Sequence, residues 1–349
     1  LDARGLTPIP DGVDYADAAA FGVTNRTAYY TLRTVAPVEP GDWVVVLGAA
    51  RSAIGTFNGA LADIEPSELA GTVMKEAVKR SGVDPKAINY VTVGNCIPTE
   101  SRFAYVARVA SIQAGLPMES VAMAVNRLCS SGLQAVVSTA QSIMLGDCEY
   151  GIGGGVEVMS RAAYLLPALR SGARMGDTKA IDSMVATLTD PFGVGHMGIT
   201  AENLATKWDI SREEQDAFAL ESQKRAANAI SAGYFKDQIV PITFETRKGP
   251  VVFDTDEHPR MTTLEALAKM KPAFKKDGSV TAGNAPPVND GAAALVVMSA
   301  ARAQALGLTP LARVVAQATT GLEPKMLLMT PVEARRKAAK KAGWNLQDV

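Results

Sequence analysis

Cys129 follows an apolar, strand-like run, Val121-Ala122-Met123-Ala124-Val125, and opens a helical segment, Ser130-Ser131-Gly132-Leu133-Gln134-Ala135-Val136-Val137. Unpaired amides converge at a helix N-terminus, and the positive end of the helix dipole favours an anion. A thiol at such a turn is expected to be more acidic and more nucleophilic than a free one, which is what covalent catalysis requires. Position alone leaves a buried structural cysteine as an equal alternative.

Other residues carry less. His258 sits in Asp256-Glu257-His258-Pro259-Arg260, an acidic loop that predicts a surface histidine paired with carboxylates. Cys96 and Cys148 follow or flank strands and read as core thiols. The run Gly151-Ile152-Gly153-Gly154-Gly155-Val156 places Val156 where a dinucleotide loop needs a third glycine, so nucleotide binding is not expected there. Three cysteines without a Cys-x-x-Cys pair suggest neither zinc nor a disulfide framework. Reduced thiols are the expectation.

The elements that position Cys129 alternate between strand and helix from Trp43 onward, predicting an α/β fold on a largely parallel, buried sheet. Strands are expected at Val44–Leu47, Tyr90–Val93, Val121–Val125 and Tyr150–Val156. Helices are expected over Ser67–Ser81, stopped by Gly82, and near Ala104–Ala114. Glycines at 151, 153, 154 and 155 mark a close backbone approach or a bend. From about Met159 to Ala285 the chain reads as an insertion with its own small core. Its one long helix, Ser211–Ala232, starts with a capping box of Ser211 and Glu214. Alternation resumes with strands at Ala292–Met298 and Leu311–Ala316, then a helix capped by Thr330, Pro331 and Glu333. The basic residues Arg335, Arg336, Lys337, Lys340 and Lys341 fit a solvated face of that helix.

At 349 residues, 47% hydrophobic and 20% charged, the chain is long enough for two core-bearing units. A formal net charge of -1 offers no electrostatic argument for nucleic acid or an anionic membrane. No apolar stretch reaches the length of a bilayer span, and no basic start leads into a hydrophobic core. The cytoplasm is the expected compartment. Both ends look cut: the chain starts at Leu1 and stops at Val349, where another strand is expected.

Four blocks stand out: Ala50-Arg51-Ser52-Ala53-Ile54-Gly55-Thr56-Phe57, Asn126-Arg127-Leu128-Cys129-Ser130-Ser131-Gly132, His196-Met197-Gly198-Ile199-Thr200-Ala201-Glu202-Asn203 and Val280-Thr281-Ala282-Gly283-Asn284-Ala285. Together they resemble the thiolase family of acyl-CoA acyltransferases, which join or cleave 3-ketoacyl-CoA. They occur in family order, and the resemblance runs from about Val44 to the chain end. It implies a layered αβαβα architecture with a loop-domain insertion and an incomplete second half. The implied divisions are 1–42 as an extension, 43–158 as the first half with the nucleophile, 159–285 as the loop domain covering coenzyme A, and 286–349 as a partial second half.

By this resemblance Cys129 attacks the acyl-CoA carbonyl and holds the acyl group as a thioester. Leu188, His196, Met197, Arg260, Phe274 and Ala282 stand where the family contacts the coenzyme. Those types suit a pantetheine arm, which is mostly apolar with a few amides, while Arg260 could face phosphate or the adenine end. Read without their motifs, the same residues are ordinary core and surface side chains. Coenzyme A is implied as substrate and product, with no metal or bound redox cofactor. A homodimer or homotetramer and a place in fatty-acid metabolism are implied as well.

The chain departs from the family at several points. Thiolase chemistry also uses an Asn-Glu-Ala-Phe block, a histidine in a Gly-His-Pro block and a second cysteine. Here no histidine follows His258 and no cysteine follows Cys148. Full turnover by this chain alone is therefore not expected, and a catalytically dead acyl-CoA binder is the alternative. Pro286-Pro287 removes backbone donors beside the pantetheine site. Residues Leu6 to Ala50, including Pro8-Ile9-Pro10-Asp11-Gly12 and Pro40-Gly41-Asp42-Trp43, resemble the quinone-oxidoreductase branch of medium-chain dehydrogenases. The glycine-rich NADPH loop is replaced by Arg51-Ser52-Ala53-Ile54-Gly55, so that segment reads as a foreign extension fused in frame. An NADPH-dependent quinone reductase rests on that segment alone.

Overall fold

The computed structural model describes residues 44–246 and 249–346. Six strands form the body of a central mixed sheet: β1 (Val44–Ser52), β2 (Tyr90–Gly94), β3 (Val121–Val125), β4 (Tyr150–Val158), β5 (Asn289–Ser299) and β6 (Ala312–Val314). Their order is β6-β1-β5-β4-β2-β3. The strands β2, β3 and β4 are parallel, whereas β5 runs antiparallel to both β4 and β1, and β6 antiparallel to β1. The expectation of a largely parallel sheet therefore fails at β5 and β6. The cause is the route of the insertion: Val158, the last residue of β4, pairs with Asp290 near the start of β5. A chain that returns at the end it left needs no crossover and pairs antiparallel. The same pairing draws 289–299, which a boundary at 286 assigns to the second half, into the first sheet.

Alternation along β1 shows how the layers form. Val45 and Leu47 join one apolar cluster with helix α1 (Pro66–Ser81) and helix α2 (Val106–Gln113), which contributes Val106, Ala107 and Ala110. Val44 and Val46 point the other way, into a second cluster with Ala140 and Ile143 of helix α3 (Ser131–Met144). Helices thus cover both faces. Helix α1 stops where expected, at Gly82 with φ +71°. The sheet's outer strand, β3, is only partly covered, and Val121 is exposed.

The insertion carries helix α4 (Met197–Lys207), the long helix α5 (Arg212–Ser231) and a hairpin of Ile242–Thr246 with Gly249–Phe253. The expected capping box of Ser211 and Glu214 is present on α5. Polar clamps tie the insertion together: Glu202 of α4 accepts the N–H groups of Ser279 and Val280 at 3.0 and 2.8 Å. Asp256 holds Arg51 at 2.7 Å and the Ile54 N–H at 2.8 Å, which docks the insertion on the end of β1. Beyond β6 comes helix α6 (Thr330–Ala342). Thr330 is its first helical residue rather than its cap, because its hydroxyl donates backwards to the Leu327 carbonyl at 2.7 Å. Among the described residues, no helix is long and apolar enough to cross a membrane.

Candidate active site

Three glycines on one face of β4 let α3 press against the sheet. A Cβ at Gly151 would meet Thr139 Cγ2 at 2.3 Å, and one at Gly153 would meet Val136 Cα at 2.5 Å. At Gly155 it would stand 3.0 Å from Gly132 Cα, and at Gly94 of β2 it would strike the backbone of Ser131 at 2.3 Å. The close approach anticipated from the glycine run is therefore helix on strand. It seats the first turn of α3 at the carboxyl ends of β2 and β4, where α/β sheets present their ligand sites.

Cys129 lies in the short turn between β3 and α3 and is exposed. Ser130, the N-cap residue of α3, puts no side-chain oxygen on the first-turn N–H groups. The turn is strained, since Leu128 adopts φ +48°, a conformation that costs a β-carbon residue about 1 kcal/mol or more and persists only when its surroundings enforce it. The enforcing contacts are on both sides. Asn126 Oδ1 accepts the Leu128 N–H at 2.9 Å, while Ser131 Oγ accepts the Arg127 N–H at 2.8 Å and donates to the Leu128 carbonyl at 2.6 Å. Arg127 reaches out to Thr319 Oγ1 at 2.8 Å.

Beneath this turn lies a second one, Asn95-Cys96-Ile97. The Cys96 thiol donates to the Leu128 carbonyl at 2.9 Å and lies 3.2 Å from Ser131 Oγ. Glu157, near the end of β4, accepts the Cys96 N–H at 2.9 Å, the Ile97 N–H at 3.1 Å and Asn95 Nδ2 at 3.0 Å. Burial pushes the Glu157 carboxyl above the usual range, while those N–H donors pull it back part of the way. Burial also pushes the Cys96 thiol up to about 11. Cys148, at 5% exposure and raised by burial to about 12, is a core thiol as expected. Cys96 is not: it is half-buried and belongs to the wall of the Cys129 turn. Sequence reasoning missed Cys96, Asn126, Ser131 and Glu157 as a supporting set. A charged residue near the end of a glycine-rich buried strand was the available signal for Glu157.

The residues matched to coenzyme contacts fall into one group and one outlier. His196 caps α4, its Nδ1 accepting the Gly198 N–H at 3.1 Å, and its ring stacks on Phe274 with centroids 4.9 Å apart. Gly198 makes room for that ring, since a Cβ there would lie 2.1 Å from Phe274. The Met197 N–H donates to the Leu188 carbonyl at 2.8 Å. Ala282 is exposed in a turn closed by Asn284, whose Oδ1 accepts the Thr281 N–H at 2.7 Å. That turn joins the Phe274 segment through the Ala273 N–H on the Val280 carbonyl. Leu188, His196, Met197, Phe274 and Ala282 thus share one linked surface. Arg260 stands apart, exposed, its backbone N–H held by Gln223 of α5 at 3.0 Å.

His258 departs from expectation. It is half-buried rather than a surface residue paired with carboxylates, and burial together with neighbouring Arg260 holds it below the usual histidine range. The carboxylates beside it are engaged elsewhere, Asp256 by Arg51 and Glu257 by the N–H and hydroxyl of Thr56. Among the described residues no cluster of three or more His, Cys, Asp or Glu side chains could hold a metal ion. The dehydrogenase-like segment before Val44 lies outside the described residues.

Comparison with known proteins agrees with this geometry. The family model for the thiolase N-terminal domain matches residues 44–301. Beta-ketothiolase BktB of Cupriavidus necator is 51% identical over 308 residues, covering 88% of this chain and 78% of that protein. An acetyl-CoA acetyltransferase of Pseudomonas aeruginosa is 50% identical over 309 residues, with the same coverage of 88% and 78%. Among solved structures, Bacillus anthracis acetyl-CoA acetyltransferase superposes with TM-score 0.86 at 48% identity, covering 88% of this chain and 78% of that one. Human mitochondrial 3-ketoacyl-CoA thiolase in complex with CoA gives 0.84 at 41% identity, covering 88% and 77%. The turn that presents Cys129, the sheet beneath it and the sequence around both lead to one conclusion: this chain belongs to the thiolase family.

Proposed function

We propose that this chain performs the first half-reaction of a thiolase, accepting an acyl group from acyl-CoA onto Cys129. The Cys129 sulfur attacks the thioester carbonyl carbon, the bond from that carbon to the coenzyme sulfur breaks, and coenzyme A leaves carrying the proton that the cysteine gives up. The acyl group remains as a thioester, ready for a second thiol or an enolate. The observation that carries this reading is the exposed Cys129 on a strained, doubly braced turn at an uncapped helix N-terminus. Such an end offers N–H groups to the oxygen that becomes negative during attack.

Leu188, His196, Met197, Phe274 and Ala282 form the wall for the pantetheine arm, Arg260 meets the phosphate or adenine end, and residues 159–285 act as the cover. Coenzyme A is then substrate and product, and no metal or redox cofactor takes part. Association in the cytoplasm as a homodimer or homotetramer completes the proposal, with the partly covered β3 edge as one available surface. The reading covers the step that Cys129 itself carries, formation of the acyl-enzyme. His196 is engaged in capping α4 through the Gly198 N–H rather than on the Cys129 turn, which favours a second reading, an acyl-CoA binder that transfers nothing. Incubation with acetyl-CoA followed by peptide mass mapping separates them. An acetyl group on Cys129, absent from Cys129→Ala, supports transfer; protection of the chain by coenzyme A without an adduct supports the binder.

A further inference from the structure

The two thiols at the turn are neighbours. Cys96 Sγ lies 2.9 Å from the carbonyl oxygen of Leu128, the residue before Cys129. Across a trans peptide a carbonyl oxygen and the next Cα are about 2.8 Å apart, which puts Cys96 Sγ within about 6 Å of Cys129 Cα. In a disulfide each sulfur lies within about 5 Å of the other residue's Cα, because the S–S bond is only about 2.05 Å, so rotation of the two side chains has about 1 Å to close. The backbones on either side are held, Cys96 by Glu157 and Asn126, and Leu128 by Asn126 and Ser131.

We propose that Cys96 is a resolving thiol for Cys129, capturing it as a disulfide after oxidation by a peroxide. In the first step the Cys129 thiolate attacks one peroxide oxygen; the O–O bond breaks, hydroxide leaves, and Cys129 becomes a sulfenic acid. In the second, Cys96 sulfur attacks the Cys129 sulfur and displaces hydroxide, which takes the Cys96 proton and departs as water. Two thiols and one hydrogen peroxide thus give one disulfide and two waters. The order follows from access. Cys129 is exposed and meets the oxidant first, whereas Cys96 is half-buried and, with its thiol raised by burial, stays protonated at neutral pH. Ser131 Oγ, 3.2 Å from Cys96 Sγ, can donate to that sulfur as it loses its proton. The third cysteine, Cys148, is packed with Ala140, Ile143 and Val297 and takes no part.

The consequence is protection: the disulfide holds Cys129 at a reversible stage and keeps it from the sulfinic acid that thiols do not reduce. This inference needs an oxidisable Cys129 but not acyl transfer, so its test reads sulfur chemistry directly. The full chain is treated with an excess of hydrogen peroxide, enough for two oxidations per thiol, then alkylated and digested without reductant. A Cys96–Cys129 linked peptide, lost on adding dithiothreitol, is expected, and C96S should instead carry Cys129 sulfinic acid. Cys129 sulfinic acid at equal yield in both proteins, or Cys129 linked to Cys148 or to a second copy, overturns the proposal. Should C96S fail to fold, the linked peptide from the unaltered chain decides alone.

Discussion

Ser131 Oγ donates to the carbonyl oxygen of Leu128 at 2.6 Å and at the same time accepts the Arg127 N–H at 2.8 Å, so one hydroxyl at 4% exposure pins both residues ahead of Cys129. Its removal leaves a strained Leu128 with one brace fewer and a part-buried Arg127 N–H without its acceptor. Ser131→Ala should cost about 1–3 kcal/mol of stability. It should also slow acetylation of Cys129 by up to about 100-fold, since small displacements of a reacting group are costly. Denaturant melts and adduct mass spectrometry check the two effects. Unchanged acetylation with lowered stability would remove Ser131 from the positioning of the nucleophile.

The seat of α3 on β4 predicts intolerance at Gly153. A methyl group there would stand 2.5 Å from Val136 Cα, a backbone atom that cannot rotate away. Gly153→Ala should destabilise the chain by about 1–3 kcal/mol or more through overpacking. Gly115→Ala is a useful contrast, because no atom crowds its Cβ position and only its φ of +84° opposes the change. Its cost should be smaller, of order 1 kcal/mol.

Much of this arrangement was legible beforehand, and the failures have physical causes. Period and capping placed the helices at Pro66–Ser81 and Arg212–Ser231, and the glycine pattern foretold a close approach at β4. The direction of β5 was not legible, because hydrophobic alternation is the same in parallel and antiparallel strands. Thr330 looked like a cap since Thr-Pro-x-Glu fits the pattern, yet its hydroxyl bonds within the preceding turn. Cys96 looked like a core thiol because its role depends on a carbonyl 32 residues away. No local pattern encodes such a contact.

Acid sensitivity should centre on Asp256. Burial opposes its charge, but the Arg51 guanidinium and the Ile54 N–H outweigh that and leave its pKa lowered. A carboxyl depressed in the folded state contributes stability that is complete above its unfolded pKa, about 3.9, and is lost as pH falls through the lower folded value. Asp256→Asn should cost about 1–2 kcal/mol at pH 7, with the ion pair partly screened by solvent. The cost should shrink below about pH 4, where the unfolded chain begins to take up the proton, and vanish once the native carboxyl protonates as well. Denaturant melts at a series of pH values provide the check, and a cost that stays constant with pH would contradict this role.

His258 should titrate below the usual histidine range, because burial and then Arg260 disfavour its charged form. With the folded pKa depressed, its contribution to stability is held above the unfolded pKa, about 6.5, and is lost as pH falls. Arg260→Ala removes the second cause and should move the His258 resonance upward in a pH titration followed by NMR.

The central claim is that Cys129 accepts an acyl group, and the release of coenzyme A tests it most directly. Mixed with excess acetyl-CoA, the chain should liberate close to one equivalent of free coenzyme thiol per active site in a single burst, with a matching acetyl group on the Cys129 peptide. Cys129→Ala should show neither. No burst from the unaltered chain, or an equal one from Cys129→Ala, would contradict the assignment of Cys129 as the acyl acceptor.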